Sequence, residues 1–121
     1  MLRIVAGFLF ACHGAPKVLG LFGGTKVVAA VGSQLWVGGL IELIGGTLIA
    51  IGLFVRPVAF LAAGTMAVAY FQYHWKLDLT GNRWLPIVNK GELAALYTFL
   101  FLFVSARGAG VWSIDRRRGR V

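Results

Sequence analysis

The sequence is poor in charge, in cysteine and in histidine, and each scarcity removes a class of protein. Only 13% of the 121 residues are charged, which is about half the share of a typical soluble domain and argues against an ordinary cytosolic globule. One cysteine excludes a disulfide scaffold, and one cysteine with two histidines makes a structural zinc site improbable. The chain also lacks a repeat of solenoid length and a glycine-rich dinucleotide-binding turn.

Apolar residues dominate what remains. They make up 59% of the chain, and the mean hydropathy is +0.81. Because a spanning helix needs about 20 mostly apolar residues, the sequence predicts an all-α integral membrane four-helix bundle, a single domain over residues 1–121. The first segment is expected to stay as a span rather than to be cleaved as a signal peptide, because its apolar pattern continues past Cys12. The predicted helices cover about residues 2–22, 35–55, 57–74 and 90–106, and an interfacial tail covers 107–121.

The basic residues predict how this bundle lies in the membrane. Lys and Arg exceed Asp and Glu by 12 to 4, and they fall in two groups at opposite ends of the predicted helices. The richer group belongs on the cytoplasmic side, so both termini are expected inside a multi-pass protein of the inner membrane. The tail is expected to rest on anionic lipid, and nucleic acid is not expected as a partner. The richer group is Arg3, Arg56, Arg107, Arg116, Arg117, Arg118 and Arg120; the other is Lys26, Lys76, Arg83 and Lys90.

Several polar side chains fall inside the predicted spans at similar depths. At 1.5 Å of rise per residue, Lys17, Glu42 and Glu92 each lie about 21–22 Å from the inner basic anchor of their helix. Tyr70 lies at the same level, whereas His13 and Tyr97 lie about 15 Å from theirs. The glycines at positions 38 and 46 flank the acid at spacings of four and favour close helix approach. The sequence therefore predicts a pocket lined by His13, Lys17, Glu42, Tyr70, Tyr97 and Glu92, in which Lys17 and Glu42 meet.

These residues also have purely structural interpretations. Lys17 and Glu42 could form an ion pair that only locks the bundle, although ionisable groups inside a membrane usually serve function. The two tyrosines could simply pack. His74 is expected to be a solvated helix end, and Cys12 to be an apolar filler. Haem ligation by the two histidines is not expected, because they differ in depth by roughly 10 Å.

Five short motifs give the chain a family resemblance. Taken together in this order and spacing, they resemble the DoxX family of small bacterial four-helix membrane proteins, and the match covers nearly the whole chain. The resemblance implies four helices and an association with quinone and sulfur redox chemistry, since relatives include the larger subunit of a thiosulfate:quinone oxidoreductase. Nothing in the chain marks the second subunit of that enzyme. The motifs are His13–Lys17, Glu42–Gly46, Gly52–Pro57, Gly91–Ala94 with Tyr97, and Gly108–Asp115.

Three functions compete on this basis. The first is a quinone-linked oxidoreductase subunit in which Glu42, His13 and Lys17 are catalytic, while Tyr70, Glu92 and Tyr97 bind the substrate. It would carry no cofactor of its own, so the electrons would come from a substrate or a partner. The second is a non-catalytic anchor that docks a soluble redox partner at the cytoplasmic face through the arginine cluster. The third is a conduit for a small molecule or protons. Glycines on several helix faces also permit a homo-oligomer, and whether the chain is an enzyme stays open.

Overall fold

The computed structural model describes residues 1–20 and 29–119, and the regular structure in these ranges is entirely helical, as predicted. Predicted helix residues 21–22 and the basic residues Lys26 and Arg120 lie outside the described residues. The first two helices are α1 (Leu2–Leu19) and α2 (Gln34–Ile51). Helix α3 runs from Val55 to Ala69 and continues as a π-helical segment, Tyr70–Trp75. The remaining helices are α4 (Pro86–Asn89), α5 (Glu92–Arg107) and α6 (Ile114–Arg117).

Helices α1 and α2 form a pair whose backbones touch at glycines. A Cβ atom added at Gly7 would lie 2.6 Å from the backbone nitrogen of Ala50, and one added at Gly14 would lie 2.5 Å from that of Leu43. The expectation for Gly46 is confirmed, because its Cα also faces α1. The expectation for Gly38 is wrong, because a Cβ there would meet no atom of α1 or of the other described residues within 4 Å. The glycine that faces α1 is its neighbour, Gly39.

The glycines of α2 that face α1 are seven residues apart and not eight. Gly39 and Gly46 both face α1, and seven residues are close to two α-helical turns of 3.6 residues. A repeated spacing of four residues exceeds the α-helical period, so it drifts off the contacting face and selects Gly38. Residues Ile41–Gly45 of α2 form a π-helical segment.

Helices α3 and α5 form the second pair. Small residues of α3, including Ala59 and Ala62, are fully buried together with Phe101 of α5. Arg56 ties the two helices at one end, where its Nη1 donates to the carbonyl oxygens of Ser105 (3.1 Å) and Ala106 (2.6 Å). The Ser105 hydroxyl returns a hydrogen bond of 2.8 Å to the carbonyl of Arg56.

The end of the bundle that holds residue 3, the turn at residues 52–54 and the C-terminal segment is called here the terminal end. Asp115 caps α3 there: its carboxylate accepts from the backbone nitrogens of Phe54 (2.9 Å) and Val55 (2.8 Å). Because of this cap, α3 begins at Val55 and not at Pro57 as predicted. The opposite end, where α1 ends and α2 begins, is called the loop end.

The two helix pairs meet near the terminal end and enclose a cavity toward the loop end. Helices α1 and α2 are each long and apolar enough to cross a membrane, judged by length and composition. All four long helices expose large apolar side chains, such as Phe8, Ile44, Phe60 and Phe99. Exposed apolar surface on every helix is typical of a protein that is solvated by lipid.

Candidate ligand site between the helix pairs

An ion pair joins α1 and α2 beside the cavity. Lys17 Nζ donates to both carboxylate oxygens of Glu42, at 2.8 Å to Oε1 and 2.7 Å to Oε2. The Glu42 side chain is 5% exposed and that of Lys17 is 26% exposed. The predicted meeting of these two residues is confirmed. An ammonium group carries three donors, and among the described residues the hydrogen bonds of Lys17 Nζ go to Glu42.

Glycines make room for this pair. A Cβ at Gly39 would lie 2.8 Å from Cβ of Lys17, and a Cβ at Gly14 would lie 2.9 Å from Cβ of Glu42. Glu42 itself sits in the π-helical segment of α2. Such segments are rare and frequently occur at functional sites. The periodicity of an ideal α-helix, on which the sequence prediction relied, contains no signal for them.

A cavity of about 760 Å³ opens beside the ion pair, between the α1–α2 pair and the α3–α5 pair. Four of the six predicted pocket residues line it: His13, Lys17, Glu42 and Tyr97. Most of the remaining lining is apolar and comes from α3 and α2, for example Leu61, Met66, Val68, Val37 and Ile41. A cavity with largely apolar walls and a few converging polar groups is the usual form of a small-molecule site.

Aromatic rings separate the cavity from the terminal end. Phe10 and Phe101 are fully buried, with ring centroids 4.8 Å apart. Tyr97 stacks on Phe101 at 5.3 Å and contacts Phe10 at 5.5 Å. His13 meets the Tyr97 ring edge-on, with centroids 6.2 Å apart. These contacts fix the orientation of Tyr97 at the floor of the cavity.

Polar side chains also line the cavity at its loop end. They include His74 and Lys90, neither of which was predicted as a site residue, and Gln34. Gln34 and Gln72 exchange two amide hydrogen bonds, of 2.5 Å and 3.0 Å, and so bridge α2 to α3. His74 lies in the last turn of the helical run of α3, at a helix end as expected, and it is half-buried where it lines the cavity. Among the described residues, no group of three His, Cys, Asp or Glu side chains is placed to hold a metal ion.

Two predicted pocket residues lie outside the cavity lining. The Tyr70 hydroxyl donates to the carbonyl of Trp84 at 2.5 Å and accepts from Nδ2 of Asn89 at 3.1 Å, so it holds the loop between α3 and α5. Glu92 is exposed in the first turn of α5, where a carboxylate interacts favourably with the helix dipole. The prediction of one pocket with six polar residues is therefore corrected to four.

The loop that Tyr70 holds carries its own acidic turn. The Asp78 carboxylate accepts from the Thr80 hydroxyl at 2.5 Å and from the Thr80 backbone nitrogen at 3.0 Å. Arg83 donates to its other oxygen at 2.7 Å. These hydrogen bonds, those of Thr80 first, hold the pKa of Asp78 below its usual value. The charge of Asp78 is thus paired within the loop, and Asp78 does not line the cavity.

Comparison with known proteins identifies a family and several relatives of the chain. The DoxX family model matches residues 1–75. An uncharacterized protein of Haemophilus influenzae is 42% identical over 121 residues, covering 96% of this chain and 87% of that protein. The inner membrane protein YphA of Escherichia coli is 28% identical over 125 residues, covering 95% and 86%.

A further relative, from Bacillus subtilis, carries the name "Putative oxidoreductase CatD". It is 34% identical over 85 residues, which cover 68% of this chain and 63% of that protein. No solved structure matches the chain. The family match covers α1, α2 and α3.

Proposed function

Because the chain belongs to the DoxX family of membrane proteins, we propose that it crosses the inner membrane four times and serves as a quinone-linked subunit of an oxidoreductase. The observation that carries the proposal is the buried Lys17–Glu42 pair at the edge of a largely apolar cavity. The name of the inner-membrane relative YphA supports the location. The name of the relative CatD supports redox chemistry.

Helix lengths and exposed surfaces support four spans. Helices α1 and α2 have 18 residues each, α3 covers residues 55–75, and α5 has 16 residues. A 16-residue helix rises about 24 Å, and basic side chains at its two ends, Lys90 and Arg107, can reach the interfaces. Arg107 and Arg116–Arg118 at the terminal end favour a cytoplasmic location for both termini.

The cavity suits a quinone in shape and in polarity. A quinone head group is a flat apolar ring with two carbonyl acceptors, and it diffuses within the bilayer. The third donor of Lys17, which has no acceptor among the described residues, can bind one carbonyl, and His13 and Tyr97 provide further polar groups along the cavity lining. The apolar residues of α2 and α3 would cover the ring. An ion pair that only locks the bundle would not need further polar groups beside an apolar cavity.

In the proposed reaction this chain binds the quinone and transfers protons to it. Reduction of a quinone to a quinol takes two electrons, which a reduced redox protein supplies, and two protons, which the cavity supplies. Glu42 and His13 are groups that hold and pass protons at the ring oxygens. Lys17 compensates the charge of Glu42 when that carboxylate is ionised. Tyr70 and Glu92, predicted as substrate ligands, have no place in this step because they do not line the cavity.

The test is the quinone content of the purified full-length protein. Protein extracted in mild detergent from quinone-containing membranes is expected to carry a quinone that solvent extraction and mass spectrometry identify. Gly38→Leu should remove it, because Gly38 lines the cavity and a Cβ atom there meets no atom of the described residues within 4 Å, so the added side chain can extend into the cavity. Thr47→Leu on the same helix is the matched control, since Thr47 is exposed and does not line the cavity.

Two results would contradict the proposal. One is a folded wild-type protein that carries no quinone and binds none on addition. The other is a Gly38→Leu variant that binds quinone as tightly as the wild type. Lys17→Met should lower the affinity for quinone without preventing insertion, which separates recognition by the ion pair from a merely structural role.

A further inference from the structure

The C-terminal segment, residues 107–118, folds across the terminal end of the bundle around one buried cation. Arg3 is buried, and its guanidinium donates to five carbonyl oxygens. Two belong to the end of α2, Ile49 and Ala50, both at 2.5 Å. The other three belong to the C-terminal segment: Ala109 at 2.8 Å, Val111 at 3.4 Å and Trp112 at 2.8 Å.

This arrangement turns the side chains of the segment outward. Because the carbonyls of Val111 and Trp112 point at Arg3, their side chains project away from the bundle, and they are 55% and 70% exposed. Trp112 has a φ of 57°, a left-handed conformation that is uncommon for a bulky residue. Such a conformation persists where the surrounding structure imposes it, so the exposed tryptophan is held in place.

Further hydrogen bonds make the segment rigid. The Ser113 hydroxyl donates to the carbonyl of Gly110 at 2.8 Å and accepts from the backbone nitrogen of Arg116 at 3.2 Å. Asp115 is 5% exposed and caps α3 with both oxygens. The acidic group of the segment is thereby turned inward, whereas Arg107, Arg116, Arg117 and Arg118 are exposed.

The C-terminal segment exposes a tryptophan and a valine together with four arginines, and this combination fits the head-group region of a lipid leaflet. Amphipathic aromatic rings settle at the level of lipid head groups. Clusters of basic residues beside a span attract the acidic phospholipids of the cytoplasmic leaflet. A protein partner would need acidic groups facing the arginines and an apolar pocket for Trp112, whereas the leaflet next to the terminal end offers both without a second protein.

We propose that residues 107–118 form a binding site for the phosphate head groups of acidic phospholipids in the leaflet next to the terminal end. Val111 and Trp112 insert at the boundary of head groups and acyl chains, and the four arginines bind the phosphates. Arg3 is the positioning residue that fixes this surface. The proposal is independent of quinone binding in the cavity.

The experiment measures how lipids quench Trp112. The full-length protein is reconstituted in bilayers that contain brominated phosphatidylglycerol or, at equal bromine content, brominated phosphatidylcholine. The emission of a Trp112→Phe variant is subtracted to isolate Trp112. We expect phosphatidylglycerol to quench Trp112 about threefold more than phosphatidylcholine, because basic clusters concentrate acidic lipid, and we expect high salt to reduce the difference.

Matched variants test the charge. Replacing Arg116, Arg117 and Arg118 by Gln should remove the preference for phosphatidylglycerol. Replacing Lys76, Arg83 and Lys90 by Gln removes the same charge at the loop end and should leave the preference intact. If both variants lost the preference for phosphatidylglycerol equally, net charge alone would explain it, and the proposal would be overturned. Equal quenching by the two lipids in the wild type would overturn it too, and a Trp112 that neither lipid quenches would point to a protein partner.

A second pair of variants tests the positioning role. Arg3→Lys keeps the charge but cannot donate to five carbonyls, so it should shift the Trp112 emission and reduce the lipid preference. If Arg3→Lys does not fold, Ser113→Ala removes the turn hydrogen bonds and should have the same effect in weaker form. Unchanged Trp112 quenching in a folded Arg3→Lys protein would contradict the role given to Arg3.

Discussion

At the scale of single residues, the Lys17–Glu42 pair separates structural from functional interpretations. Removing one partner leaves a charge or a desolvated polar group in an apolar site. Full burial would make this cost about 3–5 kcal/mol, and the partial exposure of Lys17 lowers the expected destabilisation for Glu42→Leu to about 2–3 kcal/mol. Thermal unfolding in detergent, followed by circular dichroism, measures it.

The double variant Lys17→Met/Glu42→Leu is the control for this prediction. It removes both charges, so it should regain most of the lost stability. Under the proposed function it should still fail to bind quinone. A double variant that is as unstable as the single one would show that the pair contributes more than mutual compensation of charge.

Depth along a helix could be predicted from the sequence, but direction around the helix could not. Equal distances from the basic anchors brought Lys17 and Glu42 together correctly. The same reasoning placed Tyr70 in the pocket, although its hydroxyl binds the loop carbonyl of Trp84. From the sequence, Arg3 served only to predict the orientation in the membrane. Its structural role could not be predicted, because its partners are backbone carbonyls, which the pattern of side chains does not reveal.

At the scale of elements, alanine substitutions at two adjacent glycines of α2 are expected to change the stability of the protein in opposite directions. Gly39→Ala should destabilise the protein, because its Cβ would lie 2.8 Å from Cβ of Lys17 and 3.0 Å from Cγ2 of Val18. The Cβ of Gly38→Ala meets no atom within 4 Å in the part of the chain that the structure describes, so this change should stabilise the helix by up to about 1 kcal/mol, the usual difference in helix propensity. Melting temperatures of the two variants measured side by side decide the matter.

This comparison also tests the register of α2. If Gly38→Ala were the damaging change, Gly38 and not Gly39 would face α1, and the register of α2 on α1 would be wrong. The long helices themselves could be predicted because each is a long, mostly apolar run. The early start of α3 could not, since it depends on capping by the distant Asp115. The π-helical segments could not either, because α-helical periodicity contains no signal for them.

At the scale of the whole molecule, the structure divides into a closed end and an end with a cavity. The terminal end is held by buried polar groups, Arg3, Ser113 and Asp115, whose hydrogen bonds connect the two helix pairs and the C-terminal segment. Toward the loop end the pairs diverge around the cavity. The aromatic layer of Phe10, Tyr97 and Phe101 lies between the two regions.

This division predicts that the two ends can be damaged separately. Asp115→Asn keeps the shape but weakens two charge-assisted hydrogen bonds to the start of α3, and should lower the free energy of unfolding by about 1.5–3 kcal/mol. Quinone affinity of the folded fraction should stay unchanged, because Asp115 lies on the far side of the aromatic layer from the cavity. Titration of the delipidated variant with quinone, alongside its denaturation curve, measures both. A loss of affinity larger than the loss of folded protein would mean that closure of the terminal end controls the geometry of the cavity.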